Sequence, residues 1–176
     1  MLKAKARRNA PKPMPVKFWS PASLIATLFG TGYMPTAPGT WGSALALPLG
    51  WALNYYFNPW GVPVAIVVVF FVGWWAASAY TKAAGVDDPG AVVIDEVVGQ
   101  WIVMISAPPT IIGYGAAFLL FRIFDVLKPF PINWLDRHVK GGLGIMLDDV
   151  LAGIYAFAIL YALVYFKVLT LPHVVL

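Results

Sequence analysis

The sequence contains no cysteine and only two histidines, His138 and His173, among its 176 residues. Without cysteine the chain cannot form a disulfide, a thiolate nucleophile or a thiolate metal site, and two histidines are too few for a histidine metal cluster. Charged residues are also scarce, with 12 basic and 8 acidic side chains. Hydrophobic residues make up 60% of the chain and the mean hydropathy is +0.76. This composition excludes an ordinary soluble domain and predicts an integral membrane protein.

Long stretches of the chain contain no charged residue. Residues 18–81 form a run of 64, residues 97–121 a run of 25 and residues 150–166 a run of 17. Because a crossing needs roughly 20 apolar residues, these runs predict an all-α, polytopic membrane protein with four to five transmembrane helices. We place the crossings near 42–58, 62–81, 96–112, 113–127 and 150–167, interrupted or bounded by Pro48, Pro63, Pro108 and Pro109. Segment 22–29 is too short to cross and is expected to be an interfacial or re-entrant helix.

The basic residues predict the orientation and the division of the chain. Six of the 12 lie in the first 17 positions, with no acid among them. Because Lys and Arg accumulate on the cytoplasmic side, we expect the N-terminus inside and 11 of the 12 basic residues on that face, with Lys167 as the exception. We expect a basic arm at 1–17 that orients the chain and contacts anionic lipid, with no nucleic acid as partner. A single helical membrane domain at 18–167 and a short tail at 168–176 follow.

The acidic residues are confined to one region. All eight lie between positions 87 and 149, and the predicted topology brings each of them to the cytoplasmic end of a span. They include two adjacent pairs, Asp95-Glu96 and Asp148-Asp149, at the edges of uncharged runs. A helix N-terminus would explain one acid at each place, but two pairs at a membrane edge favour a metal site. Carboxylates without cysteine and with hardly any histidine select Mg²⁺ or Mn²⁺ over Zn²⁺.

The residues next to these acidic pairs can be assigned structural or functional roles. Gly99 shares a helix face with Asp95 and is expected to leave room for a bulky ligand. The glycine-rich segment 141–144 could bring backbone N–H groups to a phosphate, but glycine also serves turns and close helix packing. Arg122 and Asp125 stand three apart, so they form an ion pair or place Asp125 at the cation.

The segment after this helix contains further charged residues. Pro129 is expected to end the helix at Lys128, which could then contact a phosphate. Asp136 and Arg137 follow with the same choice between a structural pair and a phosphate site.

Several of these segments, in this order, make the sequence resemble the phosphatidylglycerophosphatase A family over roughly residues 20–165. The resemblance rests on Gly30-Thr31-Gly32, Ala37-Pro38-Gly39-Thr40, Gly42-Ser43, Ile94-Asp95-Glu96-Val97-Val98-Gly99, Phe121-Arg122-Ile123-Phe124-Asp125, Lys128-Pro129, Pro131-Ile132, Asp136-Arg137, Gly141-Gly142, Gly144-Ile145-Met146 and Asp148-Asp149. It implies a Mg²⁺-dependent enzyme of the bacterial cytoplasmic (inner) membrane. Such an enzyme removes the terminal phosphate of phosphatidylglycerophosphate to give phosphatidylglycerol and inorganic phosphate. Together with the predicted topology, the resemblance implies an active site that faces the cytoplasm and binds its lipid in the cytoplasmic leaflet.

The residues and the resemblance together give a set of expected roles. We expect catalysis by Asp95, Glu96, Asp125 and Asp149. Metal ligands are expected among Asp95, Glu96, Asp125, Asp148 and Asp149. Substrate contacts are expected from Arg122, Lys128, Arg137, Thr31, Thr40 and Ser43.

Two other functions compete with this one. A cation-coupled transporter would place its acids near mid-span and show an internal repeat, neither of which the sequence displays. A CDP-alcohol phosphatidyltransferase would space its final acids three residues apart after a Gly-x-x-Ala-Arg run, whereas Asp148 and Asp149 are adjacent. We therefore place both below the phosphatase.

Overall fold

A computed structural model describes residues 16–168, and within that range the chain forms seven α-helices and no strand. The helices are α1 (Pro21–Ala26), α2 (Pro38–Phe57), α3 (Gly61–Ala84), α4 (Ile94–Met104), α5 (Ile111–Leu127), α6 (Ile132–His138) and α7 (Gly141–Tyr165), with a 3₁₀ turn at Thr31–Tyr33. The expected all-α fold is thus confirmed for the described range. The predicted basic arm up to residue 15 and the predicted tail from residue 169, including His173, lie outside the described residues.

The centre of the bundle is α4, although it is only 11 residues long. Nine of its residues are buried, and it packs against α2, α3, α5 and α7. The indole Nε1 of Trp101 donates a hydrogen bond of 2.8 Å to the carbonyl oxygen of Ala46 on α2. The crossing predicted near 96–112 is interrupted, because α4 ends at Met104 and Pro108 and Pro109 lie in the turn before α5. An 11-residue helix rises about 16 Å, which is too short to cross a bilayer core.

Two helices are long and apolar enough to cross a membrane by length and composition, α3 with 24 residues and α7 with 25. Along α3, one stripe of apolar side chains is more than half exposed: Val64, Val67, Val68, Phe71 and Trp75. Their spacing of three and four residues places them on one face, as on a helix that meets lipid. These two helices support a membrane protein, while the larger number of four to five crossings stays a prediction.

The segment expected to be interfacial or re-entrant contains α1, which is six residues long. Ser20 caps it, with its hydroxyl accepting a hydrogen bond of 3.2 Å from the N–H of Ser23. The N–H of Val93, just before α4, donates a bond of 2.8 Å to the carbonyl oxygen of Ala26 at the end of α1. This bond ties the N-terminal segment to the start of the central helix.

The helices α4 and α7 approach each other closely at Gly99 and Gly153. A Cβ atom on Gly153 would lie 2.6 Å from the carbonyl oxygen of Gly99, and one on Gly99 would lie 2.7 Å from the carbonyl oxygen of Asp149. The aromatic ring of Phe121 covers the other side of Gly99. The expectation that Gly99 leaves room for a ligand is therefore wrong. The space beside it is filled by α7 and by Phe121, so this glycine serves close helix packing.

We expect Gly153→Ala to destabilise the protein. The new methyl group would press on the backbone of α4, and overpacking of this kind costs about 1–3 kcal/mol. This corresponds to a melting temperature lower by roughly 3–10 °C in detergent. Gly115→Ala is the matched control, because a Cβ on this exposed glycine of α5 would meet nothing within 4 Å. Equal melting temperatures for the two variants would contradict the close contact between α4 and α7.

Candidate active site

A cavity of about 430 Å³ opens where the N-terminal ends of α2, α4 and α7 meet the C-terminal end of α5. All eight acidic residues of the chain line it: Asp87, Asp88, Asp95, Glu96, Asp125, Asp136, Asp148 and Asp149. Three basic residues share its wall, Arg122, Lys128 and Lys140. The structure thus confirms that the acids gather at one end of the helices.

Three of the carboxylates form a cluster at the inner end of this wall. Asp95 and Glu96 lie in the first turn of α4, and Asp149 lies on α7. Each offers one oxygen atom, and the three oxygens lie within 4.8 Å of one another. Ligand oxygens on opposite sides of a Mg²⁺ ion are roughly 4.2 Å apart. The cluster therefore fits a small divalent cation after minor side-chain adjustment.

These carboxylates lack the partners that buried charge requires. Oδ1 of Asp95, Oε2 of Glu96 and Oδ2 of Asp149 are shielded from solvent and have no hydrogen-bond partner among the described residues. Burial and the charges of Glu96 and Asp148 raise the pKa of Asp95 well above its usual range. Burial and the charge of Asp149 raise the pKa of Glu96 to about 8. An added cation would compensate this crowded negative charge and satisfy the unpaired oxygens.

Lys128 connects two further carboxylates of the cavity wall, Asp136 and Asp148. The helix α5 ends just before Lys128, which confirms the helix end predicted from Pro129. Lys128 itself adopts the left-handed region, with φ 42°. Its Nζ donates to Asp136 at 2.9 Å and to Asp148 at 2.5 Å. Burial alone would lower the pKa of Lys128, but its contacts with Asp148 and Asp136 raise that pKa above the usual range. Lys128 therefore stays charged beside the acidic cluster.

Arg122 anchors a third part of the wall. Its Nη1 lies 2.6 Å from Oδ2 of Asp125 and donates a longer bond of 3.4 Å to the hydroxyl of Ser43. Gly39, at the start of α2, lies against both Glu96 and Arg122, and a Cβ there would be 3.2 Å from Arg122 Nη1. Arg122 and Asp125 form the predicted ion pair, and Asp125 also lines the cavity. The two predicted roles of Asp125, as a partner of Arg122 and as a residue of the site, are therefore compatible.

The second acidic pair does not cap a helix. Asp148 and Asp149 were expected at the edge of a span, but α7 begins at Gly141, so they lie two turns inside it. Both are buried. The glycines of segment 141–144 have different surroundings. Gly142 lets α7 approach Ser78 on α3, whereas Gly141 and Gly144 line the cavity.

Several expected substrate contacts do not line the cavity, namely Arg137, Thr31, Thr40 and Ser43. The Arg137 side chain is exposed, and the Thr31 hydroxyl donates to the carbonyl oxygen of Leu28. Ser43 is fully buried and acts only through Arg122, while its own hydroxyl donates to the carbonyl oxygen of Gly39.

Four charged residues on the wall were absent from the expected roles: Asp87 and Asp88 in the loop between α3 and α4, Asp136 on α6 and Lys140 just before α7. The grouping of every acid at one face, which the sequence already indicates, would have identified the three acids.

Comparison with known proteins gives a consistent result. The sequence model of one family, described as Phosphatidylglycerophosphatase A, matches residues 24–164. A relative from Escherichia coli (strain K12), named Phosphatidylglycerophosphatase A, is 40% identical over 148 residues, which cover 83% of this chain and 85% of that protein. One of the same name from Haemophilus influenzae is 40% identical over 154 residues, or 85% of this chain and 93% of that protein.

A third relative has a different name. It is the Putative phosphatidylinositol-3-phosphatase of Bacteroides thetaiotaomicron, 42% identical over 145 residues, which cover 78% of this chain and 89% of that protein. No solved structure matches the chain. The family match covers most of the chain, including every carboxylate of the cavity. The chain belongs to the phosphatidylglycerophosphatase A family and is a phosphatase.

Proposed function

We propose that this protein uses Mg²⁺ to hydrolyse the terminal phosphate monoester of phosphatidylglycerophosphate, releasing phosphatidylglycerol and phosphate. The observation that supports it most directly is the cluster of Asp95, Glu96 and Asp149, which brings one oxygen of each residue within 4.8 Å of the others and in which each residue has a buried oxygen without a partner. Two basic side chains, Arg122 and Lys128, stand on the same cavity wall. Carboxylates that fit a divalent cation, next to fixed basic groups, suit phosphoryl chemistry.

Each group of side chains in the cavity has a separate proposed role in hydrolysis. Asp95, Glu96 and Asp149 would hold Mg²⁺, which supplies charge neutralisation for the phosphate and a more acidic bound water. Arg122 and Lys128, each fixed by its own carboxylate partner, would orient the phosphate oxygens. The water oxygen bonds to phosphorus, the bond from phosphorus to the glycerol oxygen breaks, and the glycerol oxygen takes up a proton and leaves as the hydroxyl of phosphatidylglycerol.

Asp125 is the carboxylate that we assign as the acceptor of the water proton. It lines the cavity beside Arg122 and lies outside the cluster of three that fits the cation. A carboxylate placed in this way can act as a general base.

The substrate assignment rests on what the relatives are named for and on where the cavity lies. Their names refer to lipids with a phosphate monoester on the headgroup, phosphatidylglycerophosphate in two cases and a phosphatidylinositol 3-phosphate in another. The cavity lies at the ends of the apolar helices, where a headgroup would sit. The positive-inside pattern favours the cytoplasmic leaflet. A transporter would instead have its acids near mid-span.

The first test is phosphate release by the purified protein in a neutral detergent. We expect release from phosphatidylglycerophosphate that stops when EDTA removes divalent cations and returns with Mg²⁺. Phosphatidic acid and phosphatidylinositol 3-phosphate serve as competing substrates and should be hydrolysed more slowly. Equal rates with EDTA would contradict the role of the metal, and a preference for either competing lipid would contradict the proposed substrate.

We expect Asp149→Asn to separate metal binding from folding. It should lower phosphate release by about 10²-fold or more. Because it removes one of three crowded buried carboxylates, it should raise the melting temperature in the absence of metal, by roughly 2–6 °C. Added Mg²⁺ should then raise the melting temperature of the wild-type protein and not that of the variant.

Asp136→Asn is the matched control for this experiment. Asp136 lines the same cavity but pairs with Lys128 and lies outside the cluster of three. The control should keep its stabilisation by Mg²⁺. If Asp149→Asn were still stabilised by Mg²⁺ as strongly as the wild-type protein, Asp149 would not be a ligand.

A further inference from the structure

One face of α5 is apolar and exposed along almost the whole helix. The opposite face packs on the bundle through Tyr114, Ala117 and Phe121, which are buried. Because side chains three and four residues apart share a helix face, the exposed positions form a second, continuous row. This row, which we call the outer stripe of α5, consists of Ile112, Gly115, Leu119, Ile123 and Val126.

The outer stripe reaches the cavity at Val126. This side chain is 68% exposed, and among the described residues it is the only large apolar side chain that is both exposed and part of the cavity wall. Arg122 lies one turn earlier on the same helix, and Lys128 follows two residues later. Both basic residues line the cavity. A lipid whose phosphate contacted them would therefore find apolar surface directly beside its headgroup.

Other parts of the cavity edge are less suited to an acyl chain. They carry charged side chains, namely Asp87, Asp88, Asp136 and Lys140. A chain that left the cavity across these groups would be pressed against charge instead of apolar surface. The start of α2 is an alternative exit, because Pro38 lines the cavity there, but the exposed apolar side chains further along α2, such as Leu45, do not line it.

The length of the outer stripe fits one leaflet of a bilayer. From Val126 to Ile112 the helix rises about 21 Å, and the hydrocarbon of one leaflet is about 15 Å deep. In a bilayer the lipid tails are as apolar as the side chains, so contact with the stripe adds little affinity. The phosphate must supply the affinity, and the stripe decides where the chains lie.

We propose that the outer stripe of α5 holds the acyl chains of the lipid whose phosphate monoester occupies the cavity. This inference rests on the proposed function, from which it takes the headgroup. The lipid enters sideways from the bilayer, with its phosphate at Arg122 and Lys128 and its chains along α5. The ring of Phe124 packs edge-on against Tyr155 of α7, with 5.7 Å between centroids, which keeps the inner face of α5 on the bundle and the stripe outward.

The test locates the chains of a bound lipid without using turnover. Because the chain has no cysteine, single cysteines can carry a fluorescent label. Leu119→Cys and Ile123→Cys place it on the outer stripe, at exposed positions that tolerate substitution. The labelled full-length proteins are placed in phosphatidylcholine nanodiscs with Mg²⁺. The quencher is a non-hydrolysable phosphonate analogue of phosphatidic acid with a nitroxide in the middle of one acyl chain.

Phosphatidylcholine with the same nitroxide, at the same mole fraction, is the reference quencher. At both stripe positions we expect the phosphonate lipid to quench at least about threefold more strongly, because a bound headgroup holds its chain beside the label at a high effective concentration.

Leu45→Cys on α2 is the matched control. Leu45 is exposed and lies seven residues from Pro38, just as Leu119 lies seven residues from Val126. Both labels are thus about 10 Å from the cavity along their helices. Trp75→Cys, on the exposed face of α3, reports contact with bulk lipid. At both control positions the two lipids should quench equally.

Three results would overturn the proposal. Equal quenching by the two lipids at the stripe positions would mean that the chains do not lie there. Stronger quenching by the phosphonate lipid at Leu45→Cys alone would place the chains along α2. Stronger quenching at all four positions would mean that the phosphonate lipid is merely enriched around the whole protein.

The outer stripe and the proposed function fail in different ways. Mg²⁺-dependent phosphate release together with equal quenching would keep the function and remove the acyl-chain site. The expected quenching pattern without phosphate release would keep the lipid site and remove the hydrolysis.

Discussion

Crowded negative charge is the constraint on which the rest of this structure depends. Asp95 and Asp149 are buried side by side, and an oxygen of Glu96 is shielded next to them. Removing such groups from water costs several kcal/mol for each ion, and their mutual repulsion adds to that cost. Two basic residues offset part of the unfavourable free energy of the buried acids. Arg122 pairs with Asp125, and Lys128 pairs with Asp148 and Asp136. Among the described residues, neither of these basic residues pairs with Asp95, Glu96 or Asp149, which is the cluster that the proposed cation would neutralise.

The helix arrangement follows from this constraint. The central helix α4 begins with the two acids and continues with apolar residues that are almost all buried, so one short element both presents the carboxylates and builds the core. Its neighbour α7 places Asp148 and Asp149, two turns from the start of that helix, on the wall of the same cavity. A site built on two packed helices is positioned more precisely than one built on loops.

Much of this could be predicted from the sequence because charge is so rare in it. The grouping of all eight acids, the end of α5 before Lys128 and the apolar helix α3 each follow from local patterns, and the structure confirms them. The roles of Gly99 and Ser43 could not be predicted. Each depends on what another helix places opposite, Phe121 and α7 in one case and Arg122 in the other. Spacing along one helix carries no information about such contacts.

The contact between Gly99 and Gly153 has a consequence for ion size. It fixes the separation of α4 and α7 one turn away from Asp95 and Asp149, so the two walls of the inner cluster cannot move apart without breaking the contact. Ca²⁺ binds oxygen at about 2.3–2.6 Å and takes six to eight ligands, whereas Mg²⁺ binds at about 2.0–2.1 Å. Under the proposed function, a cation held between Asp95 and Asp149 would have to match the spacing that this contact sets. Two glycines that touch no carboxylate side chain would thus limit the radius of the ion that fits between the two helices.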